Sequence, residues 1–152
     1  MKKCLTIFLG LILSPVVYAD EVHCLAKNIF WEARNQSVSG MVAVADVTLN
    51  RVKDPRWPDT VCGVVEQRKR VDKRLICQFS WFCDGLSDRP KDNYSYSLCY
   101  MIAYIRLQDR EISVLPNHVY WYHNASVSPY WASAYSPYVT IGDHTFYSDI
   151  QY

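Results

Sequence analysis

The sequence has no excess of charge of either sign. Sixteen Lys and Arg residues face fifteen Asp and Glu residues, which gives a formal net charge of +1. A chain this neutral has no general basic surface of the kind that nucleic-acid-binding proteins present. Its one basic run, from Arg68 to Arg74, is short, and we interpret it as a solvated loop. Nucleic acid is therefore not an expected partner.

The sequence also lacks an apolar run long enough for a membrane span. The longest run, from Leu5 to Val17, falls short of the roughly 20 residues that a spanning helix needs. Lys2 and Lys3 precede it, and the small residue Ala19 follows it. This order is typical of a secretory signal peptide that is cleaved after Ala19. We expect membrane attachment only if the segment is not cleaved.

The chain shows no internal repeat, low-complexity tract or linker that would divide it. We therefore predict two parts, a signal peptide at 1–19 and one folded domain at 20–152. The domain would have about 133 residues, which is enough for a real hydrophobic core. We expect a monomer that is secreted to the periplasm or cell envelope.

Cysteine pairs with CxxC spacing are absent, which argues against a zinc ribbon. Cys4 leaves with the signal peptide, and the five cysteines that remain are Cys24, Cys62, Cys77, Cys83 and Cys99. Disulfides are the default in an oxidising compartment, and an odd number leaves at least one thiol unpaired. Two bridges among five cysteines can be drawn in fifteen ways, and the sequence does not choose between them.

Apolar residues at helical spacing predict three helices and one short helical turn. The helices are Glu21–Ala33, Ser39–Lys53 and Asn93–Gln108, and the turn is Val61–Gln67. Asn93 or Ser95 is a suitable cap for the last helix. The stretch from the turn to Pro90 has no clean period, so we predict a loop there.

The chain becomes rich in β-branched and aromatic residues after Pro116. Candidate strands are Val119–Tyr122, Tyr138–Ile141 and His144–Tyr147, with Gly142-Asp143 between the last two. This pattern predicts a small antiparallel hairpin. Helices followed by a short sheet indicate the α+β class.

Glu32 is the acidic residue with the most suggestive position. It follows Ile29 by three residues and Leu25 by seven, so at about 100° per residue it lies at the edge of the apolar stripe. Partial burial would raise its pKa and let it hold a proton near neutral pH, as a general acid must. On position alone, a surface glutamate paired with Arg34 is the simpler interpretation.

Three ordered motif blocks make the case more specific. They are Ala26–Arg34 followed by Ser37, Gly40, Val42–Ala45 and Leu49–Val52; Gln78–Trp81 with Asp84-Gly85; and Tyr122–Asn124, Pro129, Trp131-Ala132 and Ile141–Tyr147. Together they resemble the signature of the spore-cortex-lytic (SleB-type) cell-wall hydrolase family. The resemblance extends from about His23 to Ser148, which is nearly all of the predicted domain.

The resemblance implies a lysozyme-like domain, mainly helical, with a small antiparallel sheet near the C-terminus. It also implies that 20–152 is a catalytic domain that cleaves the glycan strands of peptidoglycan, as a lytic transglycosylase or a muramidase from a bacterium or a phage (an endolysin). Glu32 would be the catalytic acid, and the mechanism requires no cofactor and no metal. Where the family commonly has Gly-Glu, this chain has Asn35 and Gln36. Gln36 cannot exchange a proton, whereas Asn35 tolerates a left-handed backbone.

No second catalytic carboxyl stands out. Ordinary glycosidases use two carboxyls about 5 to 10 Å apart. We place Asp46 on the solvated side of its helix, and we expect Asp84 and Asp143 to shape turns beside glycines. A lytic transglycosylase needs only one carboxyl, because the C6 hydroxyl of the sugar itself replaces water as the nucleophile.

Aromatic and polar residues of the matching blocks are candidates for substrate binding. Flat aromatic faces can pack on sugar rings, and hydroxyl or imidazole groups can bond sugar hydroxyls or N-acetyl groups. The candidates are Ser80, Trp81, Tyr122, His123, Trp131 and His144.

Three alternatives remain open from the residues alone. A free cysteine with His123 and Asn124 could form the nucleophilic set of an amidase or peptidase. His118, His123 and His144 could bind zinc, although their spacing matches no helix-borne ligand pair. The protein could also be a disulfide-stapled envelope protein that binds glycan without cleaving it.

Overall fold

The computed structural model describes residues 15–109 and 111–150. Most of the predicted signal peptide, residues 1–14, lies outside the described residues. Helix α1 spans Pro15–Ala33, so it begins six residues before the predicted Glu21 and ends where predicted. Within the described ranges, no helix combines the length and apolar character that crossing a membrane requires.

Helices α1 and α4, the latter spanning Asn93–Gln108, pack against each other. The buried face of α1 repeats at helical spacing and consists of Val22, Leu25, Ala26, Ile29 and Ala33, each at most 1% exposed. Burying a large apolar side chain contributes about 1.5 to 3 kcal/mol, so this face is a main source of stability. The bounds predicted for α4 are confirmed, but Asp92 and not Asn93 or Ser95 is its cap. The Asp92 carboxylate accepts hydrogen bonds from the backbone of Tyr94 and Ser95.

Helix α2, Val38–Lys53, is the central helix of the molecule. Its N-cap is Ser37, whose hydroxyl accepts a hydrogen bond from the backbone nitrogen of Gly40 at 3.3 Å. One side of α2 contacts the other helices, whereas Ala43 and Val47 pack against the C-terminal sheet. Because α2 is enclosed on both sides, its polar residues are buried too.

The prediction that Asp46 is solvated is therefore wrong. Asp46 is 1% exposed, and one carboxylate oxygen accepts hydrogen bonds from the Arg106 guanidinium at 2.6 and 2.9 Å. The other oxygen accepts from the backbone nitrogens of Val114 and Leu115 at 2.8 and 3.0 Å. The pair joins α2 to α4 and to the segment before the sheet, and it is a structural group.

One disulfide attaches a short third helix to this helical core, and a second lies in the segment that follows that helix. Helix α3 spans Val61–Val65, two residues shorter than the predicted turn, and Thr60 caps it. Cys24–Cys62 joins α1 to α3, and Cys77–Cys83 closes a short loop. Cys99 is free and buried, which confirms that at least one cysteine is unpaired.

The loop predicted between α3 and Pro90 is instead partly regular. Strands β1 (Arg68–Val71) and β2 (Arg74–Cys77) form an antiparallel hairpin, and a 3₁₀ helix follows at Ser80–Cys83. Asp72 and Lys73 form its turn with φ angles of 47° and 68°. The prediction failed because the hairpin is almost entirely exposed, so its strands need no alternation of apolar and polar residues.

The C-terminal region forms a three-stranded antiparallel sheet, which confirms the α+β class. Its strands are β3 (Val119–Asn124), β4 (Ser136–Ile141) and β5 (His144–Ser148), and β5 lies in the centre. A 3₁₀ helix at Tyr130–Ala134 connects β3 to β4. The predicted Gly142-Asp143 turn joins β4 to β5, and Gly142 has a φ of 57°. Strand β3 contacts α2 and so brings its side chains to the helical layer.

Candidate active site

A cleft of about 290 Å³ lies where the end of α1 meets α2, strand β3 and the segment after the hairpin. Its lining residues are Glu32, Arg51, Cys77, Gln78, Phe79, Ser80, Trp121, Tyr122 and Trp131. Five separate parts of the chain thus contribute polar and aromatic side chains to one concave surface.

Glu32 lies in the last turn of α1 and is partly buried, as its helix-edge position predicted. Burial raises the pKa of its carboxyl. The Tyr122 hydroxyl, which donates a hydrogen bond to Glu32 Oε2 at 3.1 Å, and the Arg51 cation both act in the opposite direction. Arg34 does not pair with Glu32, because its guanidinium lies over the rings of Phe30 and Trp31.

Tyr122 is held in place by the sheet. It pairs with Phe146 in the register of β3 and β5, and its ring contacts those of Phe146 and His144. Burial and the nearby Glu32 charge raise the pKa of Tyr122 well above its usual value. The phenol therefore keeps its proton and acts as a hydrogen-bond donor to the carboxylate.

Arg51, on α2, lines the cleft and was not among the predicted site residues. It is 3% exposed, and its Nε donates a hydrogen bond to the backbone oxygen of Tyr120 at 2.8 Å. Burial lowers the pKa of Arg51 to about 10, so it remains a cation at neutral pH. Its Nη1 is buried without a hydrogen-bond partner in the described residues. The available signal was an arginine within the apolar pattern of the second predicted helix.

Of the predicted substrate-binding residues, Ser80, Tyr122 and Trp131 line the cleft with Glu32. Trp121 lines it too and was not predicted; it stacks on Tyr135 with ring centroids 3.7 Å apart. The alternation of β3 does not explain why both Trp121 and Tyr122 reach the cleft. The register of β3 against β5 is irregular just before Trp121, which is a feature that no sequence pattern indicated.

Trp81, His123 and His144 do not line the cleft. Trp81 is 8% exposed and its indole nitrogen donates to Asn28 Oδ1 at 3.2 Å. His123 bonds the Tyr147 hydroxyl at 2.8 Å, and its ring meets the edge of Trp131. His144 is 4% exposed and packs edge-on against Tyr122. His123 and His144 thus contact Trp131 and Tyr122, which line the cleft, whereas Trp81 packs in the helical core.

The remaining acidic candidates lie elsewhere. An Asp84 carboxylate oxygen accepts from the backbone nitrogen of Leu86 at 2.8 Å, the turn-shaping role predicted for it. Asp143 is bound by the side chain of Gln36, which donates to its carboxylate at 2.9 Å and accepts from its backbone nitrogen at 3.0 Å. Within residues 15–109 and 111–150, Glu32 is the one acidic residue that lines the cleft.

Gln36 thus connects the α1–α2 loop to the β4–β5 turn. Asn35 does not use the left-handed conformation that its residue type would tolerate. In the part of the chain that the structure describes, positive φ outside glycine occurs at Asp72 and Lys73.

The geometry bears on two of the alternatives. Cys99 is fully buried, and burial raises the pKa of its thiol to about 11, so it is not a nucleophilic thiolate at neutral pH. His118, His123 and His144 do not come together, and among the described residues no three His, Cys, Asp or Glu side chains form a group able to hold a metal ion.

Comparison with known proteins agrees with this arrangement. A family model described as Cell Wall Hydrolase matches residues 35–147, about three quarters of the chain, so the match begins three residues after Glu32. The spore cortex-lytic enzyme of Halalkalibacterium halodurans is 42% identical over 52 residues, which is 34% of this chain and 16% of that protein. The spore cortex-lytic enzyme of Bacillus subtilis is 39% identical over 46 residues, which is 30% of this chain and 15% of that protein. The matched segments thus span about one sixth of these relatives' length.

Two solved structures share the fold. The catalytic domain of the Bacillus cereus SleB protein superposes with a TM-score of 0.64 at 24% identity, covering 86% of this chain and 91% of that chain. The catalytic domain of the germination-specific lytic transglycosylase SleB from Bacillus anthracis also gives a TM-score of 0.64, at 23% identity, covering 93% of this chain and 100% of that chain.

Proposed function

This chain belongs to the Cell Wall Hydrolase family, and we propose that it cleaves the glycan strands of peptidoglycan as a lytic transglycosylase with Glu32 as its proton donor. The observation that carries the proposal is the environment of Glu32. It is a partly buried carboxyl with a raised pKa, and it is the acid that lines the cleft among the described residues.

Glu32 first acts as a general acid. Burial raises the pKa of the carboxyl and so favours its protonated form, and the proton passes to the oxygen that links two amino sugars. As the glycosidic bond breaks, Glu32 becomes a carboxylate. The Tyr122 hydroxyl already donates to Glu32 Oε2, and the Arg51 cation is close enough to favour the charged form. Both groups therefore stabilise the carboxylate that the first step produces.

The same carboxylate then acts as a general base. It removes the proton from the C6 hydroxyl of the muramic residue, whose oxygen attacks C1 and closes a 1,6-anhydro ring. The proton that Glu32 gave away is thereby recovered, and neither water nor a second carboxyl takes part. This route fits a cleft with one acidic residue better than the two-carboxyl mechanisms do.

Substrate contacts come from the rest of the lining. Trp131 and Trp121 offer aromatic faces to sugar rings, and Ser80 is an exposed hydroxyl at the cleft edge. Arg51 lines the cleft beside these residues, and its charge favours the carboxylate form of Glu32. Trp81, His123 and His144 would act indirectly, by holding the residues they contact.

The site of action would be outside the cytoplasm. The two disulfides are consistent with an oxidising compartment such as the periplasm or the outer envelope. We propose that 1–19 is removed as a signal peptide, so the N-terminus of the secreted protein would be Asp20. Sequencing that N-terminus tests this point, and a secreted protein that retains Met1 would contradict it.

Digestion of purified peptidoglycan, followed by mass spectrometry of the products, tests the proposed function. Anhydromuramic ends are expected. Reducing ends that carry an added water would indicate a muramidase with the same acid. Released stem peptides with intact glycan would overturn glycan cleavage altogether, and binding without any product would leave a glycan-binding protein.

A further inference from the structure

A second cleft, which we call the hairpin groove, lies beside the candidate active site. Its lining residues are Trp57, Gln67, Arg68, Lys69, Ile76, Cys77 and Gln78. Cys77 and Gln78 also line the cleft that contains Glu32, so the two clefts are contiguous. The aromatic wall is continuous as well, because the ring of Trp57 lies 5.8 Å from that of Trp121.

The hairpin groove is positively charged. Residues 68–74 contain five Lys or Arg residues and one Asp, a net charge of +4, whereas the whole chain has +1. The rest of the sequence therefore sums to −3, and the positive charge is concentrated beside the active site. Among the groove's lining residues, Arg68 and Lys69 are the charged ones, and no acid opposes them.

The cations of the groove are available to a ligand. Neither Arg68 nor Lys69 forms a salt bridge within the described ranges, and both are exposed. The Arg68 guanidinium lies 5.9 Å from the centre of the Phe82 ring, which holds it at the base of the hairpin. The Cys77–Cys83 disulfide attaches that base to the 3₁₀ helix carrying Ser80. The charges are therefore held at a defined distance from the catalytic cleft.

A glycan strand that has lost its stems offers these cations one carboxylate per muramic residue, on the lactyl group, because its other substituents are neutral. Muramic residues of intact peptidoglycan carry peptide stems with several free carboxylates. We infer that the hairpin groove binds stem-peptide carboxylates next to the scissile bond, so that this protein prefers glycan that still carries its stems. This inference rests on the proposed function and names the substrate class of the same site.

Binding to soluble glycan fragments tests the inference without turnover, if the Glu32→Gln protein is used. One set of fragments keeps its stem peptides, and a matched set has lost them to an amidase. We expect about tenfold tighter binding of the stem-bearing set at low salt, with the preference shrinking as ionic strength rises. A difference in affinity of about tenfold is expected because the groove has two exposed cations, and each exposed ion pair contributes little binding free energy.

Charge-matched variants identify the groove as the cause. Arg68→Gln with Lys69→Gln should lower the preference for stem-bearing fragments about tenfold. Arg70→Gln with Arg74→Gln removes the same charge from the same hairpin at residues that do not line the groove, and should leave the preference unchanged. Equal affinity for both fragment sets, or an equal effect of the two double variants, would overturn the inference.

Anionic phospholipid vesicles provide the remaining comparison. If the groove variant loses vesicle binding while the stem preference persists, the hairpin serves a membrane surface and the inference is wrong. The same experiments can contradict the proposed function without contradicting the inference about the hairpin groove. A wild-type protein that cleaves no glycan, but whose Glu32→Gln variant still prefers stem-bearing fragments, would contradict glycan cleavage and support the groove.

Discussion

At the scale of single residues, the proposed chemistry depends on opposing effects of the neighbouring groups on the pKa of Glu32. Burial raises its pKa, whereas the hydrogen bond from Tyr122 and the charge of Arg51 lower it. A general acid that must later serve as a base benefits from both influences, since it has to be stable in both protonation states. Tyr122 is in this view a positioning residue that acts through Glu32.

Replacing Tyr122 by Phe should separate these influences. The lost hydrogen bond favoured the charged carboxylate, so the pKa of Glu32 should rise. A general acid loses activity as the pH rises through its pKa, so the alkaline limb of the kcat/KM profile should move to higher pH. The rate at the optimum should fall roughly ten- to hundredfold, because a hydrogen bond to a charged group is worth about 1.5 to 3 kcal/mol.

Tyr94→Phe is the matched control, because Tyr94 is 85% exposed on α4 and does not line the cleft. Its pH profile should coincide with that of the wild type. An alkaline limb that moves to lower pH in the Tyr122 variant would contradict the roles assigned to the pair.

The sequence predicted some of these residues and not others for a physical reason. The helical spacing of α1 was enough to place Glu32 at the edge of an apolar face. Asp46 and Arg51 have polar side chains, and a local pattern assigns such residues to the surface. They are buried because α2 is enclosed by helices on one side and the sheet on the other, which is a property of the tertiary structure.

At the scale of elements, the helices were predictable and the hairpin was not. Helix α4 has its predicted bounds because its apolar residues repeat against α1. The β1–β2 hairpin buries no face, so its strands have no periodic signal. The C-terminal strands were predicted from their composition and the Gly142-Asp143 turn. The order β3-β5-β4 depends on long-range pairing that composition does not encode.

The β4–β5 turn provides a test of how loops hold the sheet against the helices. A Cβ atom at Gly142 would clash with Gln36 Oε1, so Gly142→Ala must displace the side chain that binds Asp143. We expect a loss of about 2 to 3 kcal/mol in the free energy of unfolding, from the left-handed backbone and the broken hydrogen bonds together. Urea denaturation measures it.

Gly85→Ala isolates the contribution of Gln36. Gly85 also has a positive φ, 79°, but a Cβ there would meet nothing within 4 Å. Its substitution should therefore cost about 1 kcal/mol less than that of Gly142. Equal losses at the two glycines would show that the Gln36 contact contributes nothing to stability.

At the scale of the whole molecule, the disulfides differ in how much of the chain they constrain. Cys24–Cys62 spans 38 residues and ties α3 to α1, whereas Cys77–Cys83 spans six. Loop-closure entropy predicts about 4 kcal/mol for the first bridge and about 2 kcal/mol for the second. The pairing itself was not predictable, because it depends on how α3 packs against α1.

Serine replacement of each pair tests this ranking. The Cys24→Ser, Cys62→Ser protein should lose more stability to urea than the Cys77→Ser, Cys83→Ser protein. The second variant should instead affect the position of the hairpin and therefore substrate affinity. A larger loss of stability from the short bridge would contradict the assignment of Cys24–Cys62 as the main covalent constraint on the fold.

The most direct measurement for the account as a whole is the rate at which a Glu32→Gln variant cleaves purified glycan strands. The amide keeps the size of the side chain but cannot supply a proton, so the rate should fall by about a thousandfold. The circular dichroism spectrum and urea midpoint should stay close to those of the wild type. Glu66→Gln, an exposed position outside the cleft, should keep full activity. A folded Glu32→Gln protein that cleaves glycan at the wild-type rate would contradict the account.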